Sequence, residues 1–266
     1  MIQKDSTVTS PYDVDAAAYF AVLASDVSVT DSQKVHIDSF FVQIKRYGLW
    51  TINQAIYLPI WNNASANKWN LKDVRDLDAA YRLTFNSITP STGGVTGNGT
   101  SSYTDTHFTP SASFASVNDA SISLYLNLHD GVHTTNQDMG AGDDGSSTNA
   151  IQIIMAYSGN TDYYRNNSSN YASASSQPDT GYVINTRSGA TAWNIYRDGA
   201  NEYSGTEAST GRSTYSIWLN ASHLGASPVY SYKRWCFATI GTNKTATDAE
   251  NEYQSVLTLL TAFGIN

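Results

Sequence analysis

Cysteine is almost missing from this chain: Cys236 stands alone among 266 residues. That excludes an intrachain disulfide framework and a zinc site built from several thiolates. Cys236 lies between Trp235 and Phe237 in a strand-like run, so a buried structural thiol is expected rather than a nucleophile. Charge is scarce as well, at 14% of residues, and positive charge scarcest: 15 Lys and Arg against 23 Asp and Glu leave a formal net charge of −8. Without a basic cluster there is no electrostatic footprint for nucleic acid. No apolar run approaches the roughly 20 residues of a membrane span, so no membrane insertion is expected. The opening residues, Met1 to Thr7, lack the apolar stretch of a signal peptide.

Glutamate is the next shortage. There are four: Glu202, Glu207, Glu250 and Glu252. A glycosidase needs two carboxylates facing each other across the scissile bond, and β-sandwich glucanases commonly place theirs on one strand as Glu-x-Asp-x-(x)-Glu. No such run exists here. The Gly-x-Ser-x-Gly nucleophile elbow is absent too. The close acidic pairs, Asp76 with Asp78 and Asp143 with Asp144, sit beside turn residues, where capping and solvation are the expected roles. No catalytic residue is assigned, and the chain is not expected to be an enzyme. His129 and His133 have the i, i+4 spacing of helical metal ligands, but Gly131 interrupts them, so a loop is expected. Gly142-Asp143-Asp144-Gly145 offers oxygens to Ca²⁺. It lacks the regular ligand spacing and closing Glu of an EF-hand. A solvated turn is therefore expected, with Ca²⁺ at Asp143 and Asp144 as the alternative and no other cofactor.

What remains is rich in Ser, Thr, Asn, Gly and Tyr, with 18 tyrosines. Asp13 is placed to cap a helix through Val14–Leu23, and Thr30 or Asp31 a second with Ile37, Phe41, Ile44 and Gly48 on one face. A third is predicted from Thr51 to Leu58. Residues 1–60 thus read as a helical attachment or oligomerisation region, with Phe41, Ile44 and Trp50 as assembly residues. Residues 61–80 read as a connector. From Tyr81 the period changes to 2, and short strands follow at Ser121–Leu128, Ala150–Tyr157, Tyr163–Arg165, Gly181–Thr186, Ala192–Arg197, Tyr215–Leu219 and Tyr232–Ile240. Asn98-Gly99 and Asp198-Gly199 mark hairpins, because a type I′ turn needs positive φ at both central residues. Thr247 and Glu250 read as the capping box of a closing helix over 247–263. Ala249, Tyr253, Val256, Leu257, Leu260 and Phe263 form its apolar stripe.

The predicted fold is therefore mainly β: an antiparallel sandwich over 81–266, with a small N-terminal helical region and a C-terminal amphipathic helix. Aromatic rings near polar loops suit a lectin-like site, where sugar faces stack on rings and Asn or Asp binds hydroxyls. The candidates are Asp143, Asp144, Tyr163, Tyr164, Asn166 and Tyr171. Core filling is the competing role for such aromatics.

Two resemblances add to this reading. Trp193–Tyr203, Ser216–Asn220 and Phe237–Gly241, followed by the Thr-x-x-Glu helix, resemble the end of concanavalin A-like (laminin G-like) jelly-roll modules. The order of Asp13-Val-Asp15, Lys45-Arg-Tyr-Gly48-Leu-Trp50, Asn70-Leu-Lys-Asp73, Asp78–Phe85, Gly94–Gly99 and Phe237–Gly241 resembles virion surface proteins of tailed bacteriophages of the Bacteroidetes, crAss-like ones included. That resemblance implies a non-enzymatic head-fibre, decoration or tail protein located in the virion. It also implies capsid or tail proteins as partners, a homo-oligomer, commonly a trimer, and host surface glycan as a ligand. A β-sandwich glycoside hydrolase or polysaccharide lyase is the first alternative, and a structural assembly protein without ligand the second.

Overall fold

The computed structural model describes residues 10–128, 136–145, 147–158, 160–175 and 178–265. The chain forms three layers: helices, a first sheet and a second sheet. The first sheet is antiparallel, in the order Asn53–Tyr57, Arg234–Gly241, Ala120–Leu128, Gly181–Arg187, Trp193–Arg197, Ala200–Gly205. The second runs Thr84–Asn86, Tyr103–Asp105, Trp218–Leu219, Met139–Gly142, Ala150–Ser158, Thr161–Ser168, Ala172–Ala174. Ala221–Leu224 joins it parallel to Met139–Gly142. The predicted mainly-β antiparallel sandwich with a terminal helix is the observed architecture.

The strand Ala120–Leu128 explains the layering. Successive side chains of a strand point to opposite faces. Ile122, Leu124 and Leu126 enter the core between the sheets, while Tyr125 joins the core beneath the helices. Seven consecutive residues are buried because both faces are covered. Arg234–Gly241 does the same through a bulge after Trp235. Trp235, Ala238 and Ile240 face the second sheet, and Cys236 and Phe237 face the helices. Fully burying each such Val, Leu, Ile or Phe stabilises the fold by about 1.5–3 kcal/mol. Burial also pushes the Cys236 thiol pKa far up, which suits an inert packing residue.

The helices start where their caps allow. Asp13 accepts from the Asp15 and Ala16 amides at the head of Val14–Leu23. Thr30 and Gln33 form a reciprocal capping box for Asp31–Arg46. The closing helix is Ala246–Ala262, and its box is Thr245 with Asp248, two residues before the predicted Thr247–Glu250. A short Asp reaches back to the Thr245 amide at 2.9 Å, filling the place where Glu or Gln is the usual signal.

This helix is locked to the first sheet by a buried ion pair. Lys244 Nζ and Glu252 Oε2 are 2.7 Å apart, with both side chains essentially inaccessible. Glu252 also accepts from Asn53 at 2.8 Å and from the Tyr182 hydroxyl at 2.9 Å.

Three expectations change. The helix predicted over Thr51–Leu58 is only Leu49–Ile52, and the chain then becomes the edge strand Asn53–Tyr57, paired with Arg234–Gly241. A boundary at residue 60 would therefore part this strand from the sheet it completes. Phe41 and Ile44 are not available for assembly: both are buried in the core shared with Phe237 and the closing helix. Trp50 packs against that core with Lys45 and Lys72 over its ring, 4.9 and 4.0 Å from the centroid. Asp198-Gly199 does turn a hairpin, with φ of 48° and 82°. Asn98-Gly99 does not. Asn98 Oδ1 instead gathers the amides of Thr100, Ser101 and Ser102, and the flanking strands pair elsewhere.

Candidate functional site

The strands Ala150–Ser158 and Thr161–Ser168 pair with Gln152 opposite Arg165, Ile153 opposite Tyr164 and Ile154 opposite Tyr163. Ile153 and Tyr164 lie in the core between the sheets. The two-residue period then puts Gln152, Ile154, Tyr163 and Arg165 on the outer face of the second sheet. Ile154, Tyr163 and Arg165 border a pocket of about 310 Å³, with Gln137, Gly145, Ser147, Tyr157 and Tyr171 completing it, and Gln152 is buried beneath.

Tyr157 arrives through a bulge. Pairing shifts between Ile154 and Ser158, so extra residues loop out of the ladder. A bulge re-aims a side chain but leaves amides unpaired. Buried carboxylates accept them here: Asp138 takes the Met155 amide and Asp162 the Ala156 amide, each at 2.7 Å. The Met155 carbonyl receives Lys233 Nζ, which is itself 2.9 Å from Asp138. Asp162 pairs with Arg197 from the first sheet and accepts from the Tyr164 hydroxyl at 2.6 Å. Burial pushes the Asp162 pKa up to about 6, against the pull of Arg197. Two salt-bridged carboxylates thus hold the bulge that delivers Tyr157.

The rings converge edge to face. Tyr157 and Tyr163 have centroids 5.3 Å apart, and Tyr163 and Tyr171 5.2 Å. Tyr171 is 52% exposed and forms a wall, and the Arg165 guanidinium lies 5.3 Å from its ring centroid. Arg165 Nη1 donates to Gln152 Oε1 at 2.8 Å, and Gln152 Nε2 donates to Gln137 Oε1 at 2.8 Å. Gly140 makes room for this relay, since a Cβ there would stand 2.7 Å from Gln152 Cγ. Arg165 Nε is buried without a hydrogen-bond partner. Desolvation lowers the guanidinium pKa, against the pull of Tyr171 and Tyr157. Flat aromatic walls, the Gln137 amide and a cation can hold a ring with apolar faces and a polar edge, which describes a sugar.

Of the residues predicted from sequence, the structure brings Tyr163 and Tyr171 together in this pocket. Tyr164 and Asn166 point the other way, into the interior. Tyr164 is bound to Asp162, and Asn166 to Asn185 and the Ala120 carbonyl. Asp143 and Asp144 shape the turn beside the pocket. Asp143 accepts from Asn149 and from the Thr214 amide. Burial raises its pKa, but those hydrogen bonds prevail and hold it below the ordinary value. Asp144 accepts from the Thr148 amide and hydroxyl. Among the described residues no group of three or more His, Cys, Asp or Glu side chains is placed to hold a metal. The His129–His133 pair lies outside the described residues. Arg165, Gln137 and Gln152 were not singled out from sequence. The alternation along Tyr163-Tyr164-Arg165-Asn166 was the available signal, because it forces the odd and even residues onto opposite faces.

No protein-family model matches the sequence, and no curated protein is similar to it. Solved structures do share the fold. A mutant of Trypanosoma rangeli sialidase displaying trans-sialidase activity matches with a TM-score of 0.58 at 11% identity, covering 84% of this chain and 39% of that one. The sialidase in complex with sialic acid gives 0.57 at 9% identity, with the same coverage of 84% and 39%. Domain 4 of an extracellular arabinanase from Geobacillus stearothermophilus, in complex with arabinotriose, gives 0.49 at 15% identity, covering 76% and 98%. The chain spans about two fifths of the length of the sialidases it matches. At such identities the likeness shows the fold alone: an antiparallel β-sandwich. It overturns the expectation of a non-enzymatic bacteriophage virion protein. The two sialidase matches exceed a TM-score of 0.5, and neither points to a virion.

Proposed function

We propose that the chain is a carbohydrate-recognition β-sandwich whose ligand lies in the pocket of Tyr157, Tyr163 and Tyr171. One observation carries this reading. Three tyrosines from two strands and a loop are turned outward around an open pocket, at the cost of a bulge that needs two buried carboxylates to hold it. By contrast, Trp193, Trp235, Tyr57, Tyr164 and Tyr182 are all fully enclosed. The pocket rings offer faces and edges to sugar C–H groups, while Gln137 and Ser147 offer polar atoms to hydroxyls. Screening the protein against an array of plant, bacterial and animal glycans tests the proposal. Binding is expected for the native chain and is expected to disappear in Tyr163→Ala. An array with no ligand, or a ligand unaffected by Tyr163→Ala, defeats it.

A second reading, glycoside hydrolysis, is favoured by the fold's likeness to sialidases. The group types exist: Asp162 and Glu202 share the Tyr164 hydroxyl, at 2.6 and 3.1 Å, beside Arg197. Asp162 and Tyr164, however, are wholly inaccessible, so this network meets no substrate without opening the sandwich. Release of fluorophore from aryl glycosides, lost in Glu202→Gln while binding persists, would establish hydrolysis over recognition alone.

A further inference from the structure

Buried cations in this molecule come with their electrostatic partners. Lys244 has Glu252, Lys233 has Asp138, and Arg197 has Asp162 and Glu202. Among the described residues Arg187 has no such ion pair, but its guanidinium donates to the carbonyls of Asn166, Gly189, Ala190 and Glu207. Arg165 has neither arrangement. Among the described residues it makes no ion pair, and its hydrogen bond goes to the neutral amide of Gln152. Its Nε is sealed from water and unpartnered. Arg165 is half-buried, so its Nη edge still faces the pocket with donors that no described acceptor takes, apart from the Nη1 bond to Gln152. The pocket is the open side of this group, and Tyr171 lines that opening.

We propose that this pocket takes a saccharide bearing a carboxylate, a sialic or uronic acid, with Arg165 as the group that receives the carboxylate. This deepens the carbohydrate reading above and rests on it. A carboxylate matches the planar fork of a guanidinium in a bidentate pair, which a neutral hydroxyl cannot reproduce. The Gln152–Gln137 relay holds one edge of the fork by Nη1 and leaves Nη2 and the second Nη1 hydrogen for the ligand. Tyr157 and Tyr163 would then lie against the ring that carries the acid. The site selects charge as well as shape.

The test compares ligands that differ only in that charge. Trigalacturonate and 3′-sialyllactose are titrated calorimetrically against their methyl esters, with lactose as the neutral control. Native protein, Arg165→Gln, Arg165→Lys and Tyr163→Ala are compared, and thermal melts confirm that each is folded. At least one acid is expected to bind about tenfold or more tighter than its ester, with the preference falling as salt rises. Arg165→Gln is expected to erase that preference, Arg165→Lys to keep part of it, and Tyr163→Ala to weaken acid and ester together. Equal affinity for acid and ester, with Tyr163→Ala still weakening both, overturns the charge proposal and leaves the carbohydrate reading standing. A preference that survives Arg165→Gln also overturns the assignment. Failure of every acid, ester and neutral sugar to bind the folded native protein overturns both.

Discussion

Two arginines on facing sheets carry the same charge into very different surroundings. Arg187, on the first sheet, is fully enclosed, and four backbone carbonyls receive its donors. Arg165, on the second sheet, borders a pocket and spends one donor on a glutamine. The first has no donor to offer to anything outside the protein. The second is incomplete within the described chain. The difference teaches how a sandwich divides its labour. Polar groups between the layers are consumed in holding loops and sheets together, and those on the outer face remain available to a ligand.

Substitutions can break this contrast at either end. The largest effect is expected from Arg187→Met. It orphans several buried carbonyls at about 1–3 kcal/mol each, so a loss of about 4 kcal/mol or more in denaturant unfolding is expected. A loss below about 1 kcal/mol would show that Arg187 is not a structural clamp. Next comes Asp138→Asn. It leaves Lys233 buried without its counter-charge, costing about 3–5 kcal/mol, and it weakens the acceptor of the Met155 amide. Because the bulge would relax, saccharide affinity is expected to fall along with the unfolding midpoint. An unchanged affinity would disconnect the carboxylates from the pocket. Tyr163→Ala is expected to cost about 1–2 kcal/mol of binding, read by calorimetry, since it removes the ring that touches both neighbours. Smallest is the stability change in Arg165→Gln, within about 0.5 kcal/mol of the native protein even as acid selectivity is lost. A large destabilisation there would make the two arginines alike.

Much of this fold could be read from residues alone. Asp13, Thr30 and Asp198-Gly199 announced two helix starts and a hairpin, because each motif satisfies its own neighbouring backbone. The strand Asn53–Tyr57 was hidden, since its partner Arg234–Gly241 lies nearly two hundred residues away and overrides the local helical pattern. Asn98-Gly99 misled for the converse reason: its own side chain closes a turn whose flanking strands pair with distant segments. At the site, composition pointed to tyrosines and loops but not to faces. Tyr163 and Tyr164 looked equivalent as residue types, and only the register with Ile154 and Ile153 separates them. Arg165 carried no local mark at all. What distinguishes it is the lack of a carboxylate opposite, which is a property of the folded surroundings.

The lone cysteine acquires a practical meaning from its position. Cys236 lies on the helix-facing side of the first sheet, roofed by Phe40 and the closing helix, with no accessible surface. A thiol reagent can reach it only when that roof lifts. The rate of modification under native conditions is therefore a clock for opening of the helical layer. It ticks at one place, with no background from other sulfhydryls. Glu252→Gln, which loosens the roof by weakening its link to Lys244, is expected to make it run faster while the tyrosine pocket on the far sheet stays in place.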